Sequence, residues 1–123
     1  MDAYEQNNTG FPIGEQDTRR FLDFLILEAH NRGLSIGQKN LPTFSKDYAS
    51  KFDWALIEDA FVQEWQDSLS LYIAGNKPVF AVEYTDSVNG TDFQNKICPS
   101  AKKMHFSIIL KNRDLSKTTY FCN

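Results

Sequence analysis

The sequence predicts an α/β fold in which parallel strands alternate with helices. Four short aliphatic runs begin 20 to 28 residues apart, with helical or turn-forming segments between them. This rhythm is typical of repeated right-handed βα units. The 123 residues are 41% apolar and 14% aromatic, which supplies enough large side chains for one core and argues against a disordered chain. We therefore expect residues 1–123 to form a single domain.

The first predicted element is a helix from Glu15 to Arg32. Acidic residues at its start favour the positive end of the helix dipole, and Gly33 follows where a left-handed residue ends a helix. Apolar side chains within it recur at spacings of three and four, which indicates that one broad face packs against the core.

The four aliphatic runs that follow are predicted to be buried strands, because each is bounded by turn residues. They are Leu34 to Gln38, Trp54 to Ile57, Pro78 to Val82, and Phe106 to Leu110. The segments predicted between them are a short one at Lys46 to Lys51, helices at Asp67 to Ala74 and Cys98 to Met104, and a polar loop at Thr85 to Asp92.

The charge balance excludes several partners. Thirteen basic and 16 acidic residues give a net charge of −3 without any long basic run, so we expect neither nucleic acid nor an anionic membrane surface as a partner. No stretch approaches the roughly 20 apolar residues that span a bilayer. The first nine residues also lack the basic start and apolar run of a secretory signal.

The cysteines and histidines predict no metal site and no cofactor. Cys98 and Cys122 are the only cysteines, which excludes a four-cysteine zinc site and leaves either one disulfide or two free thiols. His30 falls near a helix end, where an imidazolium caps carbonyl groups, and His105 precedes a strand. Neither has partners at metal-ligand spacing, and no glycine-rich phosphate loop is present.

Charged residues follow each predicted strand. The four ends are Lys39-Asn40, Glu58-Asp59, Glu83-Tyr84 and Lys111-Asn112. Since ligands bind at the carboxyl ends of parallel strands, we expect two carboxylates and two ammonium groups at one rim. Such a carboxyl pair, one protonated and one ionised, is what cleavage of a glycosidic bond needs. The alternative is that each charge is simply the first solvated residue of a loop.

The position of the two acids depends on strand alternation. Glu58 shares a face with Leu56, and Glu83 shares a face with Ala81. If that face lines a barrel interior, both acids lie at the same mouth. Trp65, in the loop after Glu58, is the favoured platform for stacking on a sugar ring, whereas Trp54 begins a strand and is expected in the core.

Several segments together resemble glycoside hydrolase family 114, a family of TIM-barrel endo-α-1,4-polygalactosaminidases and proteins often labelled α-galactosidase. They occur in the family's order and at about its spacing. The segments are Asp2-Ala3-Tyr4, Asn8 to Phe11, Ala29 to Asn40, Lys77 to Tyr84, and Ile109 to Leu115.

The resemblance implies roles for individual residues. Glu58 is similar to one of the family's two proposed catalytic carboxylates. Glu83, Lys39 and Asn40 match positions that bind substrate or support the site. The strand-end charges and the aromatic residues, rather than the resemblance, add Lys111, Tyr84 and Trp65 to the predicted substrate-binding set. Cys98 and Cys122 match a pair that secreted members can close as a disulfide, so an extracellular location is implied.

The departures from the family pattern are also informative. The family's other proposed acid belongs to an Asp-Asn pair upstream of the motif that Asp2-Ala3-Tyr4 resembles, and Asp2 itself is not that acid. Ala60 and Gln66 replace two cysteines of the family pattern. A full (β/α)8 barrel takes about 250 residues, so we expect the C-terminal half of a barrel, with a small open α/β sheet as the alternative.

The resulting functional hypothesis is a glycosidase that cleaves α-linked galactose or galactosamine by two carboxylates, catalytically incomplete in this chain. The alternative is a non-catalytic carbohydrate-binding remnant, in which Trp65 and Tyr84 contact the sugar.

Overall fold

A computed structural model describes residues 9–123, so Asp2-Ala3-Tyr4 lies outside the described residues. Within these described residues, five strands, five α-helices and shorter helical turns follow one another. The helices are α1 (Glu15–Asn31), α2 (Ser45–Tyr48), α3 (Ser70–Ala74), α4 (Gly90–Asp92) and α5 (Cys98–Lys103), and the strands are β1 (Gly37–Lys39), β2 (Trp54–Glu58), β3 (Val79–Tyr84), β4 (Ser107–Lys111) and β5 (Thr119–Phe121). Turns of 3-10 helix, Pro42–Phe44 and Gln66–Leu69, precede α2 and α3.

The long first helix is confirmed almost to the residue. Its start is closed by the Asp17 carboxylate, which accepts the Gly14 N–H at 2.9 Å. Its end is closed by Gly33, whose φ of 67° is left-handed and lets the Gly33 N–H reach the His30 carbonyl. Leu22 and Ile26 are the helix's buried apolar residues. The helix therefore packs by a narrower face than the apolar spacing predicts.

The strands form one sheet in the order β1-β2-β3-β4-β5. The first four are parallel, and β5 pairs antiparallel with β4. The four predicted strands are present, but each ends one or two residues later than predicted. The first charged residue after each aliphatic run therefore belongs to the strand itself, and alternation along the strand decides which face its side chain occupies. These residues are Lys39, Glu58, Glu83 and Lys111.

The two faces of the sheet differ in their environment. Ala55, Ile57, Ala81 and Leu110 point to the face that the helices cover, and each is at most 2% exposed. The opposite face is more open. It bears a cavity of about 410 Å³ lined in part by Leu56, Phe80, Val82, Ile109 and Phe121.

The segment after β3 is more helical than predicted. The loop was predicted to run from Thr85 to Asp92, but in the structure it ends at Asn89. The Asn89 side chain accepts the Asp92 N–H at 2.9 Å and so starts α4. A π-helical stretch, Phe93–Ile97, joins α4 to α5. Cys98, at the start of α5, forms a disulfide with Cys122, which ties the chain beyond β5 to this helical segment.

Within residues 9–123, no helix is long and apolar enough to cross a membrane. In the same part of the chain, no group of three or more His, Cys, Asp or Glu side chains could hold a metal ion.

Candidate active site

The Glu58 carboxylate, at the end of β2, receives hydrogen bonds from three side chains. Tyr84 Oη donates to Oε1 at 2.7 Å, and Asn40 Nδ2 donates to Oε2 at 3.1 Å. The Lys39 ammonium also donates to Oε2 and forms an ion pair with it. The Glu58 side chain remains 28% exposed, so the carboxylate is held in place and still open to solvent.

Strand register explains why these side chains meet. Lys39 of β1 lies opposite Leu56 in the parallel ladder, so it shares the open face with Leu56 and Glu58. Glu58 lies opposite Val82 of β3, and alternation returns Tyr84 to the same face. Lys39 and Tyr84 thus reach Glu58 from its two neighbouring strands.

Asn40 is aimed by the turn that follows β1. Asn40 and Leu41 both have left-handed backbones, with φ of 52° and 61°. The buried Gln38 amide donates to both carbonyl groups, at 2.8 and 3.0 Å, and so fixes this unusual turn. The Asn40 side chain then holds Glu58 twice, because its Oδ1 also accepts the Glu58 N–H at 2.9 Å.

The balance of burial and hydrogen bonding favours the ionised form of Glu58. Partial burial acts to raise the pKa of this carboxyl, but the hydrogen bonds from Lys39, Tyr84 and Asn40 outweigh it, and the pKa lies below its ordinary value. Burial and the adjacent Glu58 carboxylate raise the pKa of Tyr84 to about 12. Tyr84 therefore stays protonated and remains a hydrogen-bond donor at neutral pH.

A cleft of about 400 Å³ opens beside Glu58. Trp65 lies on its wall, together with Asn40 and Asp59, and the Trp65 indole N–H donates to Gln63 Oε1 at 3.3 Å. An indole ring on the wall of a cleft that holds a carboxylate is a suitable surface for the apolar face of a sugar ring. Trp65 and Glu58 thus line the same cleft.

Glu83 is on the other face of the sheet, so the expectation that both acids share one mouth is wrong. Its side chain is fully buried, at 0% exposure, and its Oε1 accepts the Phe61 N–H at 2.9 Å. Burial raises the pKa of Glu83. The cause is register: Glu58 lies opposite Val82 rather than Glu83, which puts the two acids in opposite alternation. In this position Glu83 supports the loop after β2 and does not line the cleft.

The four charged groups predicted at one rim do not all lie at the Glu58 site. Lys111 is on the open face of β4, but its ammonium donates to the Ser116 carbonyl at 2.6 Å and to Thr119 Oγ1 at 3.1 Å. It thus holds the connection between β4 and β5.

His30, predicted to be structural, contacts Asp53 at 3.0 Å.

A charged cluster that the sequence reading did not identify borders the Glu58 site. Arg113, two residues beyond β4, forms ion pairs with Asp59 and with Asp86. The sequence does place one member of this cluster near the site, because Asp59 directly follows Glu58 at a strand end. Nothing in the sequence, however, indicated that Arg113 would reach across from the loop after β4.

An α/β sheet with an accessible carboxylate at the carboxyl end of a strand, beside an aromatic-walled cleft, has the features of a carbohydrate-active enzyme's site. The comparisons narrow this class. The model of the glycoside-hydrolase family GH114 matches residues 1–123, so the chain belongs to that family.

A solved structure supports the same assignment. The chain is similar to the crystal structure of Aspergillus fumigatus Ega3 in complex with galactosamine, with a TM-score of 0.85 and 28% sequence identity. The match covers 98% of this chain and 51% of the other, so the chain spans about half the length of that structure. The predicted α/β class, as part of a barrel, is therefore confirmed. No curated protein matches the chain significantly.

Proposed function

We propose that this chain supplies the Glu58 side of a glycoside hydrolase active site that cleaves α-linked galactosamine or galactose polymers. The observation that carries the proposal is the Glu58 carboxylate itself, which three donors hold at the mouth of a cleft walled by Trp65. Membership of family GH114 supports the hydrolytic chemistry.

The lowered pKa of Glu58 supports a particular role. A carboxyl that is ionised at neutral pH can accept a proton from water or attack the anomeric carbon, whereas a proton donor needs a raised pKa. Lys39 and Tyr84 hold the carboxylate in one orientation and so limit its reorganisation during the reaction. The proton donor of the pair is then a different group.

Galactosamine polymers are the substrate that we favour over galactosides. The similar Ega3 structure holds galactosamine, which supports an amino sugar as the substrate. Trp65 would stack on the sugar ring, while Asn40 completes the polar side of the cleft.

A second candidate is carbohydrate binding without turnover. It is favoured by the burial of Glu83, the other carboxylate expected at the rim, on the helix-covered face. Within residues 9–123, Asp59 also lines the cleft, but it is bound by Arg113. A site with one reactive carboxylate would retain a sugar and hydrolyse it slowly, since acid/base assistance is worth about 10² to 10⁴ in rate.

Hydrolysis of an α-1,4-galactosamine oligomer separates the two candidates. Wild type should release shorter oligomers, and Glu58→Gln, which keeps the shape of the side chain, should abolish release. Glu28→Gln on α1 is the matched control, since Glu28 pairs with Arg32 away from the cleft. Binding without release by wild type would favour the second candidate. Equal activity of wild type and Glu58→Gln would contradict the first.

The disulfide supports an extracellular location for the protein. Disulfides such as Cys98–Cys122 persist in oxidising compartments. Secretion is thus part of the proposal.

A further inference from the structure

Arg113 joins three loops at the carboxyl end of the sheet. Its guanidinium donates to Asp59 at 3.1 and 3.3 Å and to Asp86 at 2.6 and 2.9 Å. It also donates to Ser87 Oγ at 3.1 Å. These partners follow β2 and β3, while Arg113 follows β4, so one side chain ties the ends of three neighbouring strands.

The guanidinium also lies over the ring of Tyr84, with Cζ 4.1 Å from the ring centroid. This is the distance of a cation–π contact. The same tyrosine donates its hydroxyl to Glu58. Arg113 therefore touches the residue that holds one oxygen of the Glu58 carboxylate.

Asp59 provides a second connection to Glu58. It follows Glu58 directly in the chain and has a left-handed backbone, with φ of 54°. Its side chain is only 14% exposed, and Arg113 binds both of its oxygens. A carboxylate in this position without Arg113 would place an unbalanced negative charge beside Glu58.

An ordinary surface ion pair would contribute little, because exposed pairs are screened by water. The Arg113 side chain is indeed 49% exposed. Two features set it apart, namely paired contacts to two carboxylates and stacking on a buried ring. Planar, doubly hydrogen-bonded geometry is what arginine offers and lysine does not.

We propose that Arg113 is a positioning residue of the Glu58 site, which fixes Tyr84 and Asp59 and through them the orientation of the Glu58 carboxylate. The inference deepens the proposed function, since the carboxylate that Arg113 positions is the reactive one. The charged or titratable groups facing Glu58 are Lys39 from β1 and Tyr84 from β3. Those facing Arg113 are Asp59 and Asp86.

The test is an NMR titration of the Glu58 side-chain carboxyl carbon in the full chain, with the signal assigned by its loss in Glu58→Gln. Replacement Arg113→Ala should move the titration midpoint to higher pH by about one pH unit, because a donor is loosened and the charge of Asp59 is left unbalanced. Arg113→Lys keeps the positive charge but loses the planar guanidinium that binds two carboxylates, so its Glu58 titration midpoint should fall between those of wild type and Arg113→Ala.

Arg20→Ala is the matched control. Arg20 pairs with Asp17 on α1, and its side chain is 77% exposed, so its removal changes net charge equally but should leave the Glu58 midpoint unchanged. An unchanged midpoint in folded Arg113→Ala, or an equal shift in Arg20→Ala, would overturn the proposal. If Arg113→Ala does not fold, Arg113→Lys and Asp86→Asn carry the test, and wild-type midpoints in both would overturn it.

Kinetics separate this inference from the proposed function. Where the chain hydrolyses the oligomer, Arg113→Ala should lower kcat about tenfold or more with a smaller change in KM, because misplacement of a reacting group acts mainly on the chemical step. A shifted midpoint in a chain that hydrolyses nothing would refute the proposed function and support the role of Arg113. Hydrolysis by wild type, together with normal kinetics and an unshifted Glu58 midpoint in Arg113→Ala, would support the proposed function and refute the role of Arg113.

Discussion

Removal of the Tyr84 hydroxyl should reveal how the Glu58 carboxylate is held. In Tyr84→Phe the ring stays in place, and the 2.7 Å hydrogen bond to Glu58 Oε1 is lost. A hydrogen bond to a charged group contributes about 1.5–3 kcal/mol. Since Glu58 is 28% exposed, water replaces part of the lost interaction, so we expect a loss of about 1.5 kcal/mol in the free energy of unfolding at pH 7.

The same loss should depend on pH in a definite direction. The folded-state pKa of Glu58 is below its ordinary value, so the stabilisation by its ionised form is present above the unfolded-state pKa and is lost as pH falls through the folded-state pKa. The cost of Tyr84→Phe should therefore be larger at pH 7 than at pH 3, because the ionised fraction of Glu58 falls as the pH is lowered.

Urea unfolding of wild type and Tyr84→Phe at both pH values measures this difference. Tyr72→Phe is the matched control, because the buried Tyr72 hydroxyl donates to the neutral Gln38 Oε1 at 2.8 Å. Its cost should be about 1 kcal/mol at both pH values. Equal costs of Tyr84→Phe at pH 7 and pH 3 would refute the argument that the hydroxyl stabilises a carboxylate.

Two further predictions concern the sheet. Gly37→Ala should lower the free energy of unfolding by about 1–3 kcal/mol, because a Cβ there would lie 2.3 Å from the Trp54 ring. Gly90→Ala, whose Cβ meets nothing within 4 Å, is the control, and equal urea midpoints for the two would contradict the packing argument. Burial raises the folded-state pKa of Glu83, so the free energy of unfolding should fall as the pH rises through that pKa. In Glu83→Gln this decline should be absent. A variant with the same pH profile as wild type would contradict the assignment of the decline to Glu83.

The backbone of the first helix and the four parallel strands was predictable because local patterns determine them. The Glu15–Asn31 helix has acids at its start and Gly33 after its end, and the strands are aliphatic runs between turn residues. β5 was missed because Thr119–Phe121 is short and largely exposed. Its pairing with β4 depends on the chain's return, and the Cys98–Cys122 disulfide anchors that return.

The site was predictable in part. Lys39 contacts Glu58 because the carboxyl ends of parallel strands meet at one edge, and Trp65 lines the same cleft as Glu58. The error with Glu83 arose because alternation relates residues within one strand, whereas the common face of two strands depends on their register. One residue of register separates Glu83 from the face of Glu58. Arg113 could not be found in this way, since its contacts require the three-dimensional arrangement of three loops.

A crystal structure of the chain with a galactosamine oligosaccharide would test the central claim most directly. Our account predicts a sugar against the Trp65 indole, with an anomeric carbon or its attacking water about 3–3.5 Å from a Glu58 carboxylate oxygen. A sugar bound only elsewhere on the chain, or one in the cleft with its linkages out of reach of Glu58, would contradict it.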